Sequence, residues 1–380
     1  MANTNTTTSV VDTIFAQSLL ALRQYSVMPR YVNRKYDTAP GAKMSTISVP
    51  IPSAIAAVAV TPSYVAPDDA GTSPTKVDIV LDKWYETAFF VNDKEVQEVV
   101  DGVFEGQLSE AVKGLANQVD NDILGLYTGV YGFAGAAGTT PLANGLDEVA
   151  EGNAVLTRQL APKGDRFFVM DSNAEANAVL LRPLQDQGWR GPQAGPTLQE
   201  GELGRLLGAL WAVDQNIPTH TAGTWTDAGT TTGANAAGQG VVNLTGGTGS
   251  ILVGDIVTFS GADTQTYAVT AATGTAPTTQ ITVSPNLVTA KSSTETVTNK
   301  STHVVNLLCH RDAFALAARP MEAADPFGLA TGNRRSIMDP VSGLSLTMEI
   351  SRQHYRTRIA MSSLYGVKLV RAALATRVAG

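Results

Sequence analysis

The order of parts between Lys43 and Asn121 constrains this chain more than any other feature. A long, Pro-punctuated stretch, Lys43 to Phe90, runs directly into a helical pattern that opens at Asn92. An extended stretch of that length has no way to bury its own backbone in a compact domain, so it reads as functional or disordered. Both of its arms carry strand periodicity. In Thr46-Ile47-Ser48-Val49-Pro50-Ile51, the residues Ile47, Val49 and Ile51 alternate with small or polar ones. Pro50 and Pro52 cannot donate to a sheet ladder, which makes this arm an edge strand or an isolated ribbon. In the return arm, Thr75 to Val91, the residues Val77, Ile79 and Leu81 share one parity, and Asp78, Asp82 and Glu86 the other. The tip, Thr61 to Pro74, carries the turn-forming PDDAG. A projecting hairpin is expected, ordered by a neighbouring subunit, and hence a protein whose work is assembly. On this loop the candidate interface residues are Ile47, Val49, Ile51, Tyr64, Asp68, Asp69 and Trp84.

Asn92-Asp93-Lys94-Glu95 has the form of a capping box. After it, Val96, Val99, Val103, Phe104, Leu108, Val112, Leu115, Val119, Ile123 and Leu126 recur at steps of three and four. That spacing predicts a long amphipathic helix, with Val96, Val103, Leu108, Val112, Leu115 and Val119 along its buried stripe. Gly102, Gly106 and Gly114 each cost up to ~1 kcal/mol relative to Ala. They predict a bend near Gly102 or Gly106, or the close approach of another backbone.

Upstream, Val10 to Leu22 has helical spacing and precedes Pro29. Downstream the pattern is mixed. A helix is expected over Ala154 to Leu160 and a buried strand over Arg166 to Met170. Capping boxes are read at Ser172 to Glu175, opening a helix to about Leu181, and at Thr197 to Glu200. Leu206 to Val213, with Trp211, reads as strand. At Ala222 the composition shifts, and as far as Ser301 the chain is mostly Thr, Gly, Ala and Val. DIVTFS, QTYAVT and QITV are short alternating strands between Gly-rich turns. They predict a small β-barrel or sandwich inserted into an α+β domain. Beyond it, His303 to Leu308 reads as strand, Asp312 as the cap of a short helix over Ala313 to Ala318, and Leu344 to Ile350 as strand. The expected close is a strand pair, Thr357 to Ser362 and Val367 to Val378, turning at Tyr365-Gly366.

Composition excludes several classes. At 380 residues and 43% hydrophobic, with mean hydropathy near zero, the chain belongs with soluble globular proteins. No apolar run approaches the ~18 residues needed to cross a bilayer. MANTNTTTSVVDTIF lacks a basic start and an apolar core, so export is not expected. A net charge of −7 argues against broad phosphate neutralisation. Charged residues are only 16% of the chain, as on a surface that copies of the chain will cover; a source organism favouring Ala, Gly and Thr would give the same figure.

Catalytic, cofactor and metal residues are all expected to be none. The four histidines, His220, His303, His310 and His354, lack metal-ligand spacing, and a single cysteine, Cys309, cannot supply a zinc site or a disulfide. Cys309 and His310 are strand neighbours that point to opposite faces. TGGTGS, from Thr245, lacks the Gly-Lys-Ser/Thr ending of a phosphate loop and reads as a turn. Asp68, Asp69 and Asp263 do not make a calcium loop. Trp84, Trp189, Trp211 and Trp225 suit core or interface anchoring. Arg190, Arg334 and Arg335 suit interface ion pairs or a solvated face.

Taken in order, these features resemble the major capsid proteins of tailed double-stranded DNA phages, the Hong Kong 97-type fold. The residues carrying the likeness are the N-terminal arm (Asn3 to Arg30), the loop, the helix opening NDKEVQEVV, RQLAPKGDRFFVMDSNAEA, GELGRLLGALWAVDQNIP and the closing LYGVKLVRAALATRV. GDIVTFSGADTQTYAVT with QITVSPNL, then HRDAFALAARPM, is similar to the branch of the short-tailed Salmonella podovirus coat protein, which carries an inserted barrel. The insert here is shorter than that branch implies. The resemblance implies an α+β fold divided as follows: N-terminal arm 1–36, extended β-hairpin loop 37–91, spine helix with the first part of the peripheral domain 92–150, axial domain 151–221, inserted β-barrel domain 222–302, axial domain resuming 303–320, and peripheral domain resuming 321–380. It implies hexamers and pentamers of the chain itself in an icosahedral shell, built as a procapsid in the host bacterial cytoplasm and expanding on maturation. The implied partners are a scaffolding protein, a portal protein and a decoration protein. DNA would be enclosed without sequence-specific binding, and no membrane is involved. Some relatives crosslink a loop lysine to an Asn, and Lys43 and Lys76 flank this loop, but the branch named is not expected to crosslink. Two other classes stay open: a different virion or adhesion component with a β-domain, and an enzyme with an inserted lid.

Overall fold

A computed structural model describes residues 18–22, 25–35, 46–53, 55, 57, 74–94, 103–143, 145–186, 201, 203–225, 230–233, 235–261, 263–275, 278–320, 332–339 and 341–379. Tyr64, Asp68, Asp69, Val96, Gly102, Trp189, Arg190 and the Thr197 capping box lie outside them.

The two arms of the loop pair as β1 (Thr46–Ile51) and β2 (Thr75–Val80), antiparallel, with Thr46 opposite Val80 and Ile51 opposite Thr75. The return arm then leaves the hairpin. Leu81 and Asp82 interrupt it, and β3 (Lys83–Asn92) joins a different sheet. Asn92 therefore ends a strand, and Asp93 and Lys94 are helical. The long helix is described as α1 (Val103–Leu124), closed by a 3-10 turn over Gly125–Gly129. Leu108, Val112, Leu115, Val119 and Ile123 are buried along one stripe, and Val103 is its first residue. Neither of its described glycines is needed for packing. A Cβ at Gly106 would meet nothing within 4 Å, and one at Gly114 would make only an ordinary 3.6 Å contact with Thr87.

After β4 (Gly132–Gly135) comes α2 (Asp147–Arg158), which starts well before Ala154. Asp147 and Glu148 in its first turn complement the helix dipole. β5 (Arg166–Met170) is buried throughout. α3 (Ser172–Leu180) is capped one residue earlier than expected: the Asp171 carboxylate accepts from the Asn173 and Ala174 amides. A short α4 (Arg182–Gln185) follows. β6 (Arg205–Leu206) and β7 (Ala209–Val213) form a hairpin through Leu207 and Gly208, both at positive φ (48° and 80°).

Next come β8 (Thr219–His220), β9 (Thr230–Thr231), β10 (Val241–Thr245), β11 (Ile256–Phe259), β12 (Tyr267–Thr275), β13 (Thr278–Ser284) and β14 (Val297–Asn299). The chain ends with β15 (His303–Val304), β16 (Asn306–His310), β17 (Phe314–Ala318), β18 (Gly332–Met338), β19 (Ser345–Gln353), β20 (Arg356–Leu369) and β21 (Ala375–Ala379).

Two expectations fail in this last part. The expected helix over Ala313 to Ala318 is absent: Ala313 ends a 3-10 turn over Arg311–Ala313, and Phe314 to Ala318 is strand. β17 pairs with β20, Phe314 opposite Leu369, and all five of its residues are buried. Burial on both faces removes the alternation that marks a strand, and the tertiary pairing overrides alanine's helix propensity. Nor does the chain turn at Tyr365-Gly366. β20 runs straight through both residues, and the turn lies at His354-Tyr355, with Tyr355 at φ 53°. Gly366 serves a close approach instead: a Cβ there would lie 2.2 Å from the Val80 carbonyl oxygen at the end of β2.

One sheet has the order β4-β21-β16-β5-β7-β6. α2 lies on it with Gly152 inward, where a Cβ would meet Leu308 at 3.1 Å and Val378 at 3.2 Å. A second sheet has the order β17-β20-β19-β18, with β3 along β20 from Lys83–Tyr365 to Asn92–Arg356. α1 covers one of its faces, tied by Thr87 Oγ1 donating to Ala111 O and Tyr365 Oη to Asp122. A single apolar core joins α1 and both sheets. β8 and β15 form a two-stranded sheet of their own; six further strands have the order β14-β11-β12-β13-β10-β9, and a bridge from Thr230 to Thr296 brings the two ends of that order together as a barrel. Its separate core includes Trp225, Val242, Val257, Phe259, Tyr267, Ile281 and Val297. TGGTGS begins as the end of β10 and continues as a bend against Trp225, whose ring is 2.2 Å from where a Gly247 Cβ would be.

Candidate assembly surface

Ile47 and Val49 were expected to anchor a neighbouring subunit. They are instead buried in their own chain, packed with Ile79 against Ala315 and Ala317 of β17. The alternation in the loop therefore reports an intrachain docking face at its base, and Ile51 is half-buried. On the opposite face Ser48 Oγ donates to Asp78 Oδ1 at 2.5 Å.

Trp84 does face outward, 61% exposed. It belongs to a row on β3 with Glu86, Ala88 and Phe90, on the face away from α1. Glu86 pairs with Arg358, Arg334 with Glu349 at 2.9 Å, and the Arg356 guanidinium lies 4.5 Å from the centre of the Phe90 ring. Aromatic residues and arginine are the types enriched at protein interfaces, and carboxylates are not. Leu108, Val112, Leu115 and Val119 have the other role: they hold the body together from inside.

Sequence reasoning missed a buried polar network where the barrel meets the body. Arg377 on β21 is fully buried and donates to the carbonyls of Val130 (3.0 Å), Gly254 (2.7 Å) and Thr128 (3.4 Å). Asp255, also fully buried, accepts from His220 Nε2 (2.8 Å), Leu252 N, Gly223 N and Asn299 Nδ2. Tyr127 Oη lies 3.0 Å from His220 Nδ1. His220 and His303 face each other across the β8–β15 pair, their rings 5.4 Å apart. Around them Tyr131, Phe133, Ile256, Ala268 and Ala379 form an apolar seam. The one signal available was an arginine in the otherwise uncharged ALATRVAG.

Burial, aided by Arg377 and His220, lowers the His303 pKa to about 4 from 6.5, although the Ser301 carbonyl acts the other way. The unfolded chain therefore takes up a proton at this residue well before the folded chain does. The contribution is full above pH 6.5 and is lost as pH falls toward 4, in total about 3 kcal/mol. Urea midpoints at pH 7 and pH 4.5 are expected to show that loss, and a His303→Gln variant should lose less. An equal loss in the variant would place the acid sensitivity elsewhere. Asp120 has the opposite sign. Burial and nearby Asp214 raise its pKa to about 8, against the Val27 and Met28 amides that donate to it. Its contribution is present below pH 4 and is lost as pH rises toward 8.

Among the described residues, no three His, Cys, Asp or Glu side chains are grouped to hold a metal, and no helix is long and apolar enough to cross a membrane. Burial pushes the Cys309 thiol well up, and His310 is turned to accept from the Asp312 amide. Trp211 packs edge-on against Phe168 in the core.

No family model matches the sequence, and no curated protein does. Solved structures do match. A chain in the structure titled Mycobacterium phage Che8 aligns over 93% of this chain and 90% of its own length, at 15% identity and a TM-score of 0.52. The fold is shared with a phage protein. Two further matches lie below a TM-score of 0.5. One is the asymmetric unit of the bacteriophage PhiM1 mature capsid, at 10% identity, covering 93% of this chain and 86% of that one, TM-score 0.49. The other is the capsid structure of the Cyanophage P-SCSP1u, at 11% identity, covering 93% and 87%, TM-score 0.48. At these identities the likeness is one of fold.

Proposed function

We propose that the chain is the major capsid protein of a tailed double-stranded DNA phage, of the Hong Kong 97-type fold. Its hexamers and pentamers would form an icosahedral shell around DNA. The observation that carries this reading is the fold shared, over nine-tenths of both chains, with a protein of Mycobacterium phage Che8. The residue-level resemblance supplies the role. In this reading residues 37–91 are the extended loop, 222–302 the inserted barrel, and α1 the spine of the peripheral domain. Trp84 and Phe90 meet a neighbouring subunit. A scaffolding protein guides a procapsid in the host cytoplasm, a portal and a decoration protein join it, and the shell expands on maturation. The acidic chain suits a container along whose wall DNA must slide.

Expressed with the scaffolding protein of its own phage, the chain is expected to give closed particles by electron microscopy. Tubes or fibres would favour another virion component, and a monomer at tens of micromolar under every salt and scaffold condition would overturn the reading. Trp84→Glu is expected to leave the monomer's stability within ~0.5 kcal/mol, as for an exposed site, while reducing particle yield sharply.

A further inference from the structure

Inside the barrel, Lys291 sits where a lysine is seldom found. Its side chain is 2% exposed, and its Nζ lies 2.6 Å from Asp263 Oδ2, whose side chain is 6% exposed. Glu295 Oε2 is 3.7 Å from the same nitrogen and, though buried, has no hydrogen-bond partner. The Phe259 ring closes the site, 5.3 Å from Nζ. We propose that Lys291 and Asp263 are the partners of an intrachain isopeptide bond that the folded barrel forms on itself, with Glu295 as the proton carrier.

Each part of the reaction has a group in place. The reaction starts when a proton passes from the Lys291 ammonium to the Asp263 carboxylate across their 2.6 Å contact. The Nζ lone pair then attacks Cγ and a C–N bond forms. Negative charge builds on Oδ1, which already accepts from the Gln265 amide at 2.9 Å. Glu295 takes the second proton from nitrogen and delivers it to Oδ2. Tyr267 Oη (2.7 Å) and Thr289 Oγ1 (3.2 Å) donate to that oxygen as the Cγ–Oδ2 bond breaks. The electron pair leaves with Oδ2 as water. Ammonium and carboxylate become amide and one water, Glu295 is regenerated, and nothing is oxidised or reduced. The opposing force is visible in the same contacts. Burial works to raise the Asp263 pKa, but hydrogen bonds from Lys291, Tyr267 and Gln265 outweigh it and hold the carboxyl below its usual range. The bond would join residues 28 apart in sequence, across the β12–β13 hairpin.

The test is mass. The purified full-length chain, left folded at neutral pH and then denatured, is expected to weigh one water, about 18 Da, less than its sequence. Trypsin should not cut at Lys291, and the deficit should survive hydroxylamine. Lys291→Arg, which keeps the charge, and Glu295→Gln are each expected to show the full sequence mass with an unchanged β-type circular dichroism spectrum. Full mass in the unsubstituted chain overturns the proposal, whether or not the variants fold. A deficit that hydroxylamine removes, by adding to the site as a hydroxamate or cleaving the chain there, also overturns it, because it marks a cyclic imide at Asp263 instead of an amide to lysine.

Discussion

Replacing Arg377 with methionine is expected to destabilise the folded chain by about 3–5 kcal/mol, the usual cost of removing one member of a buried charged network. Methionine fills much of the volume but donates nothing. The carbonyls of Val130 and Gly254, both buried, and of the half-buried Thr128 would lose that donor, and each unsatisfied buried group costs on the order of 1–3 kcal/mol. Burial lowers the Arg377 pKa only to about 10, so the guanidinium is charged at neutral pH and its loss is the loss of a cation stacked 5.0 Å from the Tyr127 ring centre. Arg377→Lys keeps the charge but not the planar fork that reaches carbonyls in different directions, so an intermediate loss is expected. Urea titrations give the three midpoints. If methionine and arginine unfold at the same concentration, water satisfies those carbonyls and the network has been given too much weight.

Gly366→Val is expected to dislodge the base of the loop while sparing the body. Its Cβ would stand 2.2 Å from the Val80 oxygen and 2.9 Å from the Val80 carbon, both backbone atoms that cannot swing aside. Overpacking of this kind costs roughly 1–3 kcal/mol. Here the strain is relieved most cheaply by lifting β2 from β20, which uncovers Ile47, Val49 and Ile79. Limited proteolysis should therefore cut within β1 or β2 many times faster than in the parent, while fragments of the body persist. Gly106→Ala is a control of opposite sign: open space surrounds the new methyl, and α1 should gain up to ~1 kcal/mol. Unaltered cleavage in Gly366→Val would show that β2 does not rest on β20.

How much of this was legible depended on how each residue is satisfied. β1 and the inward stripe of α1 follow from alternation or helical spacing, because one face of each is buried and the other is not. β17 was misread because both of its faces are buried, which leaves a run of small apolar residues without a period. Gly366 was misread because a glycine that makes room for a passing carbonyl looks, in sequence, like a glycine that turns. The anchors Ile47 and Val49 were correctly read as a buried stripe, but a stripe does not say whose surface covers it. The Arg377 network was invisible for a simpler reason. Its members, at positions 220, 255, 303 and 377, share no spacing, and only the folded path of the chain brings them together.

The β8–β15 pair has a bearing on how such chains change over generations. Position 219 lies opposite 304 and 220 opposite 303, so the chain departs into the barrel and comes back through adjacent rungs of one ladder. Such neighbouring ends would let the segment between them change in length without moving either one. A change of that segment carries a toll, because a replacement must present a carbonyl where Gly254 offers one and a carboxylate where Asp255 stands.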